Sequence, residues 1–298
     1  MSDGAPLRIG LVGAGPWASM LHAPMLARSA DVDLVGIWAR RPEAAQALAE
    51  RRRTTAFTDL GALMAEVDAL AFAVPPDVQC DLAARAARVG KHLLLEKPLG
   101  LDLTQARGLA DAISESGVRS QMVLTRRYLP GTIDFLEQAA AFGGHGGRAA
   151  AISGAAAGDG PFATPWRLEH GALLDVGPHV LDLLDAALGP IEEISARGDP
   201  LRYAVVTCEH RGGAVSQAAL SISQPTESSI WTFELYGPTG VLSLEDGGKD
   251  SAEQYAAALV SIPRQLAEVV RSGRDHPLDA RRGLHLQQLL HRAAESLT

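Results

Sequence analysis

Ile9-Gly10-Leu11-Val12-Gly13-Ala14-Gly15-Pro16-Trp17-Ala18 is the stretch on which the fold turns. A short apolar strand runs into two glycines spaced G-x-G, and a small residue follows three positions later. That order describes a strand, a tight turn and a helix start, the arrangement that cradles a pyrophosphate. The first glycine permits the turn, the second lets the backbone approach phosphate, and the small Ala18 lets the helix lie close to the strand. Free N–H groups at the helix N-terminus then face the anion. A bare G-x-G-x-x-A also occurs in ordinary strand-to-helix turns of other α/β folds. Here a strand precedes it and a helix-like stretch from Trp17 to Ala27 follows it, which favours dinucleotide binding.

Working outward, apolar runs at Leu7–Val12, Val32–Trp38, Ala69–Ala73, His92–Leu95 and Ser120–Leu124 read as buried strands. Helical stretches at Pro42–Arg51, Pro76–Val89 and Leu103–Ser116 lie between them. The alternation predicts an α/β fold, a doubly wound parallel Rossmann sheet with helices on both faces. Pro42 and Pro76 suit the first turn of a helix, and Gly90 suits a helix C-cap. Arg127–Phe142 reads as a connection and a further helix. Gly143-Gly144-His145-Gly146-Gly147 reads as a flexible joint, and residues 138–160 as a linker and a first strand. Beyond it, Ala149–Ala155, Ile191–Arg197, Tyr203–His210, Ala214–Ser223 and Ile230–Tyr236 follow as strands without intervening helices. Such a succession predicts an α+β region with a mainly antiparallel, open sheet. Helices at Ser251–Ser272 and Asp279–Leu297 close the chain. The expected division is 1–124 for dinucleotide binding and 125–298 for substrate binding and oligomerisation, the last helix being free to pack back on the first domain.

Composition narrows the function. The 298 residues are 47% apolar, enough for a sizeable core. A net charge of −8, with no basic block longer than Arg51-Arg52-Arg53, argues against nucleic acid as a partner. That triplet reads as a solvated helix end. Cys80 and Cys208 are far apart and lack C-x-x-C spacing, so they read as small buried residues and not as a zinc site or disulfide. No metal site is expected. Met1-Ser2-Asp3-Gly4 carries no basic region followed by an apolar stretch, and no apolar run reaches the roughly 18 residues of a membrane helix. A soluble, cytoplasmic protein acting on a small molecule is the expectation.

Three further features carry chemistry. The second strand ends Ile37-Trp38-Ala39-Arg40-Arg41-Pro42, with no acid to bond a ribose 2′-hydroxyl and two guanidiniums suited to a 2′-phosphate. This favours NADP, with NAD as the alternative; Arg40 and Arg41 also fit a solvated loop. Leu95-Glu96-Lys97-Pro98 follows a later strand of the sheet. Ligands gather at the carboxyl ends of strands in such sheets, so Lys97 projects toward the reacting groups. In Gly171-Ala172-Leu173-Leu174-Asp175-Val176-Gly177-Pro178-His179, Asp175 and His179 are four apart and share one face of a helix. A histidine beside a carboxylate suits proton transfer, although such a pair also serves as a polar face or a cap. Pro178 marks a kink or a helix start.

Taken in order, these features resemble the Gfo/Idh/MocA oxidoreductases, the glucose–fructose oxidoreductase and inositol dehydrogenase family. The motifs are Gly13/Gly15/Ala18, Glu96-Lys97-Pro98, Arg127-Tyr128-Leu129-Pro130 and Gly171…Asp175…Gly177…His179, and the resemblance runs nearly end to end. His170 stands where the family often has glycine and Thr125 where many members have asparagine, and the second domain is short. The resemblance implies hydride transfer between a nicotinamide and a hydroxyl or keto carbon of a sugar, cyclitol or related polyol. It implies that Lys97 bonds the reacting oxygen, His179 exchanges its proton, and Asp175 bonds substrate or orients the other two. Gly13, Gly15, Pro16, Trp17, Arg40, Arg41, Pro75 and Glu96 become the expected cofactor residues. Arg127, Trp166, Arg167 and His170 become those lining a substrate pocket between the domains. A homodimer or homotetramer is also implied. The alternative from another class is a non-catalytic protein that senses dinucleotide or sugar on the same fold.

Overall fold

The computed structural model describes residues 4–158, 160, 162–225, 229–246 and 251–297. Two compact units divide the chain: Met1–Val123 with Leu259–Leu284, and Leu124–Ala258 with His285–Thr298.

The first unit holds β1 (Leu7–Val12), α1 (Ala23–Arg28), β2 (Val32–Trp38), α2 (Pro42–Arg52), β3 (Thr55–Phe57), α3 (Leu60–Glu66), β4 (Ala69–Phe72), α4 (Pro76–Arg88), β5 (His92–Glu96), α5 (Leu103–Ser116) and β6 (Ser120–Val123). All six strands pair in parallel in the order β3-β2-β1-β4-β5-β6. This is the doubly wound order, with its switch point where β1 lies beside β4. Helices on both faces leave the central strands dry: Leu93, Leu94 and Leu95 are fully buried, as are all four residues of β4. Local chemistry punctuates the helices as the sequence indicates. Pro42 and Pro76 open α2 and α4, where a missing N–H costs nothing. Asp59 and Asp102 cap α3 and α5 by accepting from the N–H groups of Ala62 and Gln105 at 2.7 and 2.8 Å. Gly90, at φ +80°, follows α4.

The second unit holds α6 (Pro130–Phe142), β7 (Gly146–Ile152), α7 (Pro165–Asp175), α8 (Gly177–Leu188), β8 (Ile191–Asp199), β9 (Tyr203–His210), β10 (Val215–Ser221), β11 (Ile230–Gly237) and β12 (Gly240–Asp246). Its sheet runs β12-β11-β7-β10-β9-β8, antiparallel except where β7 meets β10. One face is covered by helices: Ser216, Ala218 and Leu220 of β10 and Ala204, Val206 and Cys208 of β9 are buried in strict alternation. The apolar alternation in Ala214–Ser223 is therefore that of an inward, helix-covered face. On the other positions Tyr203, Val215, Ile230 and Val241 are exposed.

The glycines at 143–147 are not a joint. Gly143 ends α6 in the left-handed region at φ +66°, and Gly146 and Gly147 already belong to β7. A Cβ on Gly147 would come within 2.8 Å of Leu188 on α8, so the missing side chain lets helix and strand approach.

The helices α9 (Ser251–Ser272) and α10 (Ala280–Glu295) are each shared between the units, which divide at Ala258/Leu259 and at Leu284/His285. Within the first unit the returning segment is built onto β6. The Met122 N–H donates to the Leu278 carbonyl at 2.6 Å, the Ala280 N–H to Ser120 Oγ at 3.0 Å, and Gln121 Nε2 to the Ile262 carbonyl at 3.1 Å. Among the described residues no helix is long and apolar enough to cross a membrane.

Candidate active site

In the first unit the glycine turn has the geometry its spacing demands. Gly13 sits at φ +124°, and a Cβ there would lie 2.3 Å from the Ala73 carbonyl oxygen. The Gly13 N–H donates to the Trp38 carbonyl at 2.8 Å, tying the turn to the end of β2. A Cβ on Gly15 would meet no heavy atom within 4 Å, so the backbone is open to an approaching group. Ala18 is fully buried. These features fit a dinucleotide pyrophosphate. Arg40 and Arg41 are exposed just past β2, Arg41 as the N-cap of α2, and Pro75 is exposed as the N-cap of α4.

The helix after the turn begins as one π turn, Ala18–His22, closed by the Ala23 N–H on the Ala18 carbonyl. Such turns are rare and concentrate at functional sites. Trp17 and His22, five residues apart, both reach Glu96 Oε1 at the end of β5: Trp17 Nε1 donates at 2.7 Å and His22 Nε2 lies at 2.7 Å. Glu96 is buried, and its second oxygen accepts from the Lys97 N–H at 3.2 Å. Gln79 of α4 takes both backbone groups of Glu96, accepting from its N–H at 2.8 Å and donating to its carbonyl at 2.9 Å. Glu96 thus spends its carboxylate inside the protein. Lys97 is half-buried, and its peptide bond to Pro98 is cis. Nearby, burial pushes the Cys80 thiol up to about 12, and it does the same to Cys208 in the second unit. Neither thiol supplies a nucleophile at neutral pH.

In the second unit Asp175 and His179 stand at a helix junction. Gly171 breaks α7 at φ +67°; a Cβ there would lie 2.2 Å from the Pro200 carbonyl oxygen. The chain turns again at Val176, and α8 starts with Pro178 in its first turn, as the proline predicts. The junction depends on that one glycine. Gly171→Ala is expected to cost about 2 kcal/mol or more, combining the left-handed penalty with a backbone clash. Urea unfolding checks it; an unchanged midpoint would refute the account.

Asp175 is buried, and Arg167 Nε lies 3.1 Å from its Oδ1. The same guanidinium lies 4.4 Å from the Trp166 ring centre and 5.8 Å from that of Phe162. Arg127 donates to Asp182, a fully buried carboxylate on α8, at 3.1 Å. Arg127 and Arg167 therefore both anchor carboxylates of their own chain. Trp166 is half-buried under Arg167, and His170 is half-buried just before the Gly171 kink. Two residues that the sequence does not single out stand in a stack beside His179. Trp231 of β11 meets its imidazole edge-to-face, centroids 6.1 Å apart, and Arg126 stacks 3.4 Å over the indole. Arg126 is buried, unlike the half-buried Arg127 beside it. Among the described residues no group of three or more His, Cys, Asp or Glu could hold a metal ion.

Comparison with known proteins agrees with both units. Residues 7–124 match the family model described as "Oxidoreductase family, NAD-binding Rossmann fold", and residues 142–243 match that of the GFO/IDH/MocA C-terminal domain. The chain is 33% identical over 125 residues to the inositol 2-dehydrogenase of Rhizobium meliloti strain 1021, covering 42% of this chain and 38% of that protein. It is 31% identical over 227 residues to the dTDP-3,4-didehydro-2,6-dideoxy-alpha-D-glucose 3-reductase of Streptomyces violaceoruber, covering 70% of this chain and 61% of that protein. The matched segments thus span about four to six tenths of these relatives' length. Among solved structures, GenD2 from gentamicin A biosynthesis in complex with NAD superposes with a TM-score of 0.87 at 24% identity, over 99% of this chain and 95% of that one. At that identity the likeness is one of fold.

Proposed function

This chain belongs to the Gfo/Idh/MocA oxidoreductase family, and from that premise we propose that it moves a hydride between the nicotinamide of NADP and a carbon bearing a hydroxyl or keto oxygen on a sugar, cyclitol or related small polyol. The observation that carries the reading lies in the first unit. An open glycine turn ends β1, and a lysine follows β5 directly, both at the carboxyl ends of strands near the switch point of the sheet.

The bound dinucleotide would supply the hydride acceptor or donor. The residues supply position and field. Gly13 and Gly15 bring backbone to the pyrophosphate. Lys97 donates to the reacting oxygen and stabilises the negative charge that grows on it as the hydride moves. His179, set by Trp231, exchanges the hydroxyl proton through its imidazole. Asp175, held by Arg167, accepts a hydrogen bond from the substrate or steadies the other two groups.

The preference for NADP rests on the tip of β2, where Arg40 and Arg41 are exposed and no acid stands in Ile37–Pro42. A bidentate guanidinium suits a 2′-phosphate. Titration of purified protein with NADPH, NADP, NADH and NAD, followed by nicotinamide fluorescence, is expected to show NADPH binding at least about tenfold tighter than NADH, about 1.4 kcal/mol. Arg40→Ala with Arg41→Ala would then remove most of the difference. Tighter NADH binding would overturn the cofactor preference. If none of the four binds, the oxidoreductase reading itself falls.

A further inference from the structure

Glu96 is held more firmly than packing alone requires. Its carboxylate takes two N–H donors on one oxygen and the Lys97 N–H on the other, while Gln79 clips its backbone on both sides. A buried carboxylate costs free energy unless hydrogen bonds replace its water, and an apolar side chain would fill the same space without that cost. The helix after the glycine turn is also bent to the purpose. An α-helix advances about 100° per residue, so side chains five apart diverge by roughly 140°. A turn closed from i to i+5 takes in about one more residue and brings such side chains back toward one face. The π turn at Ala18–His22 lets His22 join Trp17 on one oxygen of Glu96. His22 Nδ1 is buried with no hydrogen-bond partner, which leaves Nε2 as the ring nitrogen that donates to Glu96.

We propose that Glu96 is a positioning residue for Lys97, with Trp17 and His22 as the clamps that fix it. A hydrogen-bonded path then runs from the glycine turn through Trp17 Nε1 and the Glu96 carboxylate to the Lys97 backbone. Glu96 acts through Lys97 and not by touching the dinucleotide. This rests on the reading of Lys97 as the group that bonds the reacting oxygen.

Glutamine is the informative replacement. All three groups facing the carboxylate are N–H donors, so either orientation of an amide sets its NH2 against at least one of them. The chain has only three lysines, Lys91, Lys97 and Lys249, so 13C-dimethylation of the full-length protein gives three lysine signals that NMR can resolve without any turnover. Glu96→Gln and His22→Leu are expected to move the Lys97 signal and leave that of Lys91 in place. His22→Gln, which keeps a donor, is expected to restore most of the wild-type position. In turnover, Glu96→Gln should lower kcat about ten- to a hundredfold with dinucleotide Kd within about threefold, as a misplaced reacting group would. A Lys97 signal unmoved in both Glu96→Gln and His22→Leu would overturn the proposal. So would a dinucleotide Kd weakened tenfold with kcat unchanged, which would make Glu96 a direct cofactor contact. If Glu96→Gln does not fold, the two His22 variants decide by the same signal. If the wild type turns over no sugar or polyol, the functional reading fails while the Lys97 signal still decides this one.

Discussion

Lys97→Ala is expected to lower kcat by about 10²–10³-fold while dinucleotide Kd stays within about threefold. In the proposed reaction negative charge develops on the substrate oxygen only as the hydride moves, so a bond from the Lys97 ammonium to that oxygen would strengthen toward the transition state. An interaction of that kind appears in kcat and hardly at all in ground-state binding. The backbone on either side is built to keep the lysine in place: Gln79 and the clamped Glu96 carboxylate fix the residue before it, and buried Pro98 the residue after. Lys97→Arg is expected to restore little. A planar fork is a poor substitute for a compact ammonium. Steady-state kinetics beside a nicotinamide-fluorescence titration makes the test. A Kd that weakens as much as kcat falls would place Lys97 in cofactor binding; an unchanged kcat would remove it from the chemistry.

The parallel sheet was legible because its strands are buried on both faces and so read as unbroken apolar runs, such as Leu93-Leu94-Leu95. The short edge strand β3 was not. Thr55-Ala56-Phe57 has no buried residue, and three residues are too few for a period to show. Neither was β12, which begins at Gly240 one tight turn after β11 and leaves Val241 exposed. The glycines at 143–147 misled because the sequence shows a missing side chain but not what occupies the space, here Leu188 of α8.

The site divides along the same line. The motif residues Gly13, Gly15, Lys97, Asp175 and His179 could be named because their spacing along the chain is local. Their supports could not, because they come from far away in sequence. His22 meets Glu96 across 74 residues, and Arg127 meets Asp182 across 55. The motif in the sequence singles out Arg127 and passes over Arg126, yet Arg126 is the one that stacks on Trp231 while Arg127 pairs with a carboxylate. Asp175 and His179 do share a stretch of helix character, but the chain turns between them at Val176 and starts a new helix. Spacing named the two groups; the glycine kink at 171 and the proline at 178 set their directions.

His179→Ala should cost about 10²–10⁴-fold in kcat, the usual contribution of a positioned acid or base. The loss is expected to be partly reversed by added imidazole, because the cavity left by the ring sits beside the Trp231 indole that held it. A small diffusible base can enter such a space and pass the same proton, whereas it cannot replace a side chain whose role was packing. Trp231→Leu keeps the histidine but removes the aromatic edge, and it takes the platform from under Arg126. It is expected to lower kcat less, roughly tenfold, and to gain nothing from imidazole. The pair of variants separates two accounts of the same geometry. Rescue confined to His179→Ala identifies the imidazole as the proton carrier and Trp231 as its support. Equal losses with no rescue in either would mean that the ring only fills space, and the proton would have to be carried by another group, with buried Asp175 the first to test.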